Sequence, residues 1–158
     1  MKAKQSSITA AGIAVARAVE SEKPEDARIC YDPYAVKFLN PFFYHFTRFF
    51  IVSGYAEHTG AGVTGFLVAR CRCIDDLLQE CLNEGLQQLV ILGAGYDSRA
   101  YRFEQLKKGV KVFEVDHPAT QKIKLGKVRA IFGRWPDHVT YVSIDFTKDR
   151  LETCLSES

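Results

Sequence analysis

The stretch from Gln87 to Arg102, QQLVILGAGYDSRAYR, constrains this chain more than any other. Leu89, Val90, Ile91 and Leu92 form a continuous apolar run, the pattern of a parallel strand covered on both faces. Gly93 and Gly95 follow at once. Glycine takes positive φ and lets a ligand approach the backbone without meeting a Cβ. The helix expected next, capped by Asp97 or Ser98, opens with unpaired N–H groups. Strand, turn and helix in this order begin an α/β fold, and the turn reads either as a ligand cradle or as an ordinary connection.

Two cofactor classes use such a turn. A dinucleotide site wants a small residue three places after the second glycine, where Ser98 stands, and a helix N-terminus free of acid. Asp97 sets a carboxylate close to where a diphosphate would lie, whereas it tolerates the cationic methionine part of S-adenosyl-L-methionine. The residue types favour the methyl donor over a nicotinamide cofactor.

Upstream, Ile8, Ala11, Val15, Ala18 and Val19 recur at helical spacing, which predicts an amphipathic helix over about residues 7–21 with Ser6 or Ser7 as N-cap. Asp32-Pro33 opens a short helix through Phe38. Pro41 opens another, dense in Phe and Tyr, whose aromatic face reads as core, or else as a hydrophobic acceptor pocket or lid. After Gly60 to Gly65, apolar positions from Phe66 to Leu82 mark a helix or helix pair that carries Arg70 and Arg72 and stops at Gly85.

Downstream, Gln88–Leu92, Val110–Val115 and Val139–Ile144 read as three strands. A helix from Pro118 carries Lys122, Lys124, Lys127 and Arg129 as a solvated face. Right-handed crossovers place the three strand tips on one edge, where ligands of such sheets bind. Asp116 ends the second strand, about 20 residues beyond the glycine turn, and Asp145-Phe146 follows the third. An acid at the first of these places accepts hydrogen bonds from ribose hydroxyls. An acid at the second accepts from an adenine amino group, while the next backbone N–H donates to the ring. Either acid alone is also a common turn former. With Gly93 and Gly95 they make a three-part nucleoside site.

Composition narrows the partners. A chain of 158 residues with 47% apolar and 25% charged residues is long enough for a real core. Its net charge of +2 offers no basic field for nucleic acid. Five cysteines, with Cys71 and Cys73 off the spacing of a metal knuckle or redox pair, fit a reduced, cytoplasmic compartment. They read as small apolar residues rather than nucleophiles. The segment Phe42 to Val52 is too short and too polar for a membrane span, and the N-terminal residues lack the pattern of a signal peptide.

The strings ARAVES (Ala16 to Ser21), DPYA (Asp32 to Ala35), VARCRCIDDLL (Val68 to Leu78), QQLVILGAGYDSRAYRF (Gln87 to Phe103) and VFEVDHP (Val112 to Pro118) resemble the S-adenosylmethionine-dependent methyltransferases that include leucine carboxyl methyltransferase and tetracenomycin-type polyketide O-methyltransferases. GAGYDSR followed by EVDHP is the specific part. The resemblance implies an α/β, Rossmann-like methyltransferase fold. An N-terminal helical lid would span residues 1–84, and the first half of the donor-binding domain residues 85–158. It also implies that Arg70, and less clearly Arg17, grip the donor's carboxylate. Gly93 and Gly95 would lie near its methionine part, Asp116 would hold the ribose, and Asp145 with Phe146 the adenine. Phe146 replaces the family's usual leucine, at a place where only the backbone is needed.

Proteins of that fold have a seven-stranded sheet, so the resemblance further implies that this chain holds its N-terminal part, either as a fragment of a longer protein or as a truncated gene product. Strand one would then be an apolar edge open to self-association, and the chain would be inactive alone. The expected reaction is methyl transfer to a carboxylate or hydroxyl of a small molecule. The alternative is a non-catalytic cofactor-binding or assembly fragment. A carboxylate acceptor needs no general base, so no catalytic residue is assigned, and Tyr31, Tyr34 and His117 read as structural.

Overall fold

The computed structural model describes residues 3–55, 58 and 60–156, with residues 3–8 as backbone only. Helix α1 (Ala3–Ser21) is followed by a 3-10 turn (Ala35–Phe38), α2 (Pro41–Val52) and α3 (Val63–Asn83). Then come β1 (Gln88–Leu92), the one-turn α4 (Arg99–Arg102), β2 (Lys111–Asp116), α5 (Pro118–Phe132), β3 (Val139–Ser143) and α6 (Leu151–Ser156). The strands form a parallel sheet in the order β1-β2-β3, with Leu92 opposite Val115 and Asp116 opposite Ser143. The fold is α/β and Rossmann-like, as expected.

Local chemistry sets most element ends. Asp32 Oδ1 accepts from the N–H groups of Tyr34 and Ala35 at 3.1 and 3.0 Å, and Asn40 Oδ1 caps α2 through Phe42 and Phe43. Helix α3 is one helix, not a pair, and ends in a Schellman turn. Gly85 at φ 89 donates to the Leu82 carbonyl, and Leu86 to that of Cys81. Helix α1 begins earlier than expected, so Ser6 and Ser7 lie inside it, their side chains outside those described.

The core joins α1 to the sheet. Ala14, Val15 and Ala18 of α1 belong to one apolar cluster with Phe38, Tyr96, Tyr101, Leu106, Val112, Val128 and Val139. Phe38 is fully buried and stacks on Tyr96, with ring centroids 6.0 Å apart. Truncation of such a ring costs about 3–5 kcal/mol.

Three expectations fail on burial. Strand β1 is not covered on both faces: Leu89 and Ile91 pack on the core, but Val90 and Leu92 on the other face are 43% and 57% exposed. The double coverage belongs to β2, where Val112, Glu114 and Asp116 on one face and Val115 on the other are buried. The aromatic face of α2 is not core either. Tyr44 alone of its rings is buried, Phe42 is 81% exposed, and Phe42, Phe46, Phe50 and Tyr55 contact one another in a surface ladder. On α5, Lys124 leaves the solvated face. It lies buried 2.7 Å from Glu114 Oε2, which also accepts from Tyr101 Oη at 3.0 Å. Burial raises the Glu114 carboxyl above its ordinary range against the pull of Lys124.

Candidate donor-binding site

The carboxyl tips of the three strands meet as the connectivity requires. Gly93 and Gly95 follow β1 with φ of +63° and +43°, conformations that a side chain seldom adopts. A Cβ on Gly95 would stand 3.1 Å from Ala10 Cβ of α1, so α1 rests directly on the turn. Asp116, at the tip of β2, accepts from Gly95 N–H through Oδ2 and from His117 N–H through Oδ1, at 2.5 and 2.6 Å. Its carboxylate is held rigidly and keeps lone pairs for further donors.

Beyond β3, Asp145 Oδ1 accepts from Thr147 N–H and Oγ1, and Lys148 Nζ lies 3.5 Å from Oδ2. The hydroxyl of Thr147 is the first cause of an Asp145 pKa below the ordinary carboxylate value. Among the described residues the Phe146 N–H has no hydrogen-bond partner.

These parts line one cavity of about 730 Å³, whose walls include Ile13, Gly93, Gly95, Asp116, Asp145 and Phe146. His117 lines it too, but its Nδ1 accepts from Ala119 N–H as the N-cap of α5. Tyr31 and Tyr34 do not line it: Arg28 covers the Tyr31 ring, and Tyr34 packs on Phe132. A smaller cleft of about 100 Å³ shares Ala10, Ile13, Gly93 and Gly95 with the cavity and adds Arg17, Arg70, Asp97 and Arg99.

Arg17 and Arg70 differ in this cleft. Arg17 is buried, with Nε 3.1 Å from Asp32 Oδ2 in a charge contact and Nη2 donating to the Tyr96 carbonyl at 2.5 Å. Arg70 is exposed, and no carboxylate among the described residues pairs with it. Asp97 caps α4 through Arg99 N–H at 2.8 Å and forms an ion pair with the Arg99 guanidinium. Burial opposes its charge, but Arg99, Arg17 and Lys124 outweigh that and hold it at about 2. Ser98 makes no capping bond through its side chain. Arg99 and its second partner Asp75 carry no spacing signal of their own in the sequence, although they lie in GAGYDSR and VARCRCIDDLL.

The sequence model of the leucine carboxyl methyltransferases matches residues 10–158. The chain belongs to this family. All seven residues singled out for the site lie within the matched span. Individual relatives agree in name. YktD of Bacillus subtilis, named provisionally as an S-adenosyl-L-methionine-dependent methyltransferase, is 42% identical over 81 residues, covering 51% of this chain and 27% of the relative. A Streptomyces coelicolor protein of the same provisional name is 37% identical over 134 residues, covering 77% of this chain and 42% of its own. One from Saccharopolyspora erythraea is 35% identical over 126 residues, with shares of 78% and 42%. The matched part of this family member thus spans 27–42% of the length of these relatives.

Proposed function

We propose that this chain carries the donor site of an S-adenosyl-L-methionine-dependent methyltransferase that acts on an oxygen of a small molecule, a carboxylate or a hydroxyl. The observation that carries the reading is the strand-tip cavity, lined together by the glycine turn and two strand-end acids, with Arg70 in the smaller cleft that shares Ala10, Ile13, Gly93 and Gly95 with it. When bound, the donor supplies an activated methyl group on a sulfonium, so the protein's task is alignment and exclusion of water.

Each part then has a role set by its chemistry. The fixed carboxylate of Asp116 accepts from the ribose hydroxyls through its remaining lone pairs. Asp145 accepts from the adenine amino group while Phe146 N–H donates to the ring. The bare backbone at Gly93 and Gly95 admits the methionine part. Arg70 offers its fork to the α-carboxylate. Arg17, engaged by Asp32 and Tyr96, serves this site as a wall and as the tie between α1 and the turn, not as the carboxylate clamp. No side chain is assigned as general base, because a carboxylate acceptor requires none.

Calorimetric titration with S-adenosylhomocysteine and with NAD tests this reading. The homocysteine ligand is expected to bind and NAD to bind at least tenfold more weakly. Tighter binding of NAD would overturn the assignment.

A further inference from the structure

Helix α3 reaches the donor site without much apolar grip near Arg70. Val68 and Cys71 are its buried residues there, and they meet small partners, Ala16 and Cys30. Ile74 and Leu77, one and two turns on, are exposed, and the helix next meets the main core at Leu78. Small side chains give shallow ridges, which resist sliding of a helix along its axis poorly. A directional polar contact fixes such a register better.

One is present. The guanidinium of Arg99 makes three contacts at once: Nε donates to Asp75 Oδ1 at 2.7 Å, Nη2 to the Cys71 carbonyl at 3.2 Å, and Nη1 to Asp97. Asp75 is held from the other side by Arg102 Nη2, at 2.5 and 2.6 Å from its two oxygens. Cys71 is the residue after Arg70. Asp97 belongs to the loop that begins at Gly93. A single planar fork therefore spans from α3, beside Arg70, to the glycine turn, and all the charged groups in it are largely shielded from water.

We propose that Asp75 and Arg99 are positioning residues that set the height of Arg70 over the glycine turn, and so tune recognition of the donor's carboxylate through Arg70. This rests on the reading of Arg70 given above. Arg102 shares Asp75 and stiffens the same tie, while the ion pair of Arg72 with Asp76 faces solvent and is no part of it.

The test compares two ligands on the 158-residue chain. S-adenosylhomocysteine carries the α-carboxylate; 5′-methylthioadenosine keeps the nucleoside and the sulfur but lacks the amino-acid end. Arg70→Ala is expected to weaken the first about tenfold or more and leave the second unchanged. Asp75→Asn and Arg99→Lys, which keep size or charge but lose the paired fork, are expected to weaken the first by about threefold or more with the second unchanged. In an Arg70→Ala background, Asp75→Asn should have no further effect on either ligand. If Arg70→Ala fails to separate the two ligands, the site reading falls and the inference with it. If it separates them but both tie variants weaken the two ligands equally or not at all, the inference alone falls. A tie variant that does not fold, judged by circular dichroism, is replaced by the other, and failure of both shows a structural role and overturns it.

Discussion

Gly95 and Asp116 stand 21 residues apart in sequence, and their backbone N–H and side-chain carboxylate meet at 2.5 Å in the lining of the strand-tip cavity. The glycine turn and the acid of the second strand are thus one construction. A change at either is felt at the other.

Asp116→Ala removes the acceptor for two backbone N–H groups as well as the proposed ribose ligand. We expect a loss of stability of about 1–3 kcal/mol and a comparable loss of S-adenosylhomocysteine affinity. Asp116→Asn should lose less, because one carbonyl oxygen still accepts. Urea unfolding and calorimetry on both variants check the pair. An alanine variant with unchanged affinity would remove Asp116 from the site.

Arg17 and Arg70 should separate stability from binding. Arg17→Ala leaves the buried Asp32 carboxylate without its cation and the Tyr96 carbonyl without its donor, which should cost about 3–5 kcal/mol. Arg70→Ala, at an exposed position, should change stability by about 0.5 kcal/mol or less while weakening binding. Unfolding midpoints of the two variants, measured side by side, decide it; an Arg17 variant as stable as the parent would contradict the tie.

Gly95→Ala places a methyl group 3.1 Å from Ala10 Cβ on a backbone at φ +43°. The left-handed conformation alone costs about 1–2 kcal/mol, and α1 must also shift. Gly93→Ala has open space around its Cβ, so strain is its sole penalty. The expected order of thermal stability is parent, then Gly93→Ala, then Gly95→Ala.

Asp97 gives a pH signature. Its folded pKa of about 2 lies below the ordinary value of 3.8, so its contribution is fully present above pH 3.8 and lost as the pH falls through about 2. A difference of this size corresponds to roughly 2–3 kcal/mol. Asp97→Asn should be less stable than the parent at neutral pH and should show a flatter decline between about pH 4 and pH 2. Equal slopes in that window would show that Arg99 does not hold the charged form.

The sequence by itself determined what depends on near neighbours along the chain. Gly93 and Gly95 announce a turn because few other residues take those φ values. Asp32 and Pro118 announce helix starts because caps act over three or four residues. Alternating strands and helices then dictate a parallel sheet whose tips converge, so Asp116 and Asp145 were legible as strand-tip acids before any coordinates. The family was legible for the same reason, since GAGYDSR and EVDHP are local strings.

What the tertiary structure decided is how each charge and each apolar face is used, because that depends on residues distant in sequence. Periodicity gives Lys124 the same standing as Lys122, yet Glu114 on a neighbouring strand draws it into the interior. Nothing in the chain order separates Arg17 from Arg70, but Asp32 and Tyr96 engage the first. Apolar runs do not say what covers them, so nothing in the sequence shows that Val90, Phe42 and Phe46 face outward. Asp75 and Arg99, 24 residues apart, acquire a joint role only when α3 and the glycine loop are set side by side.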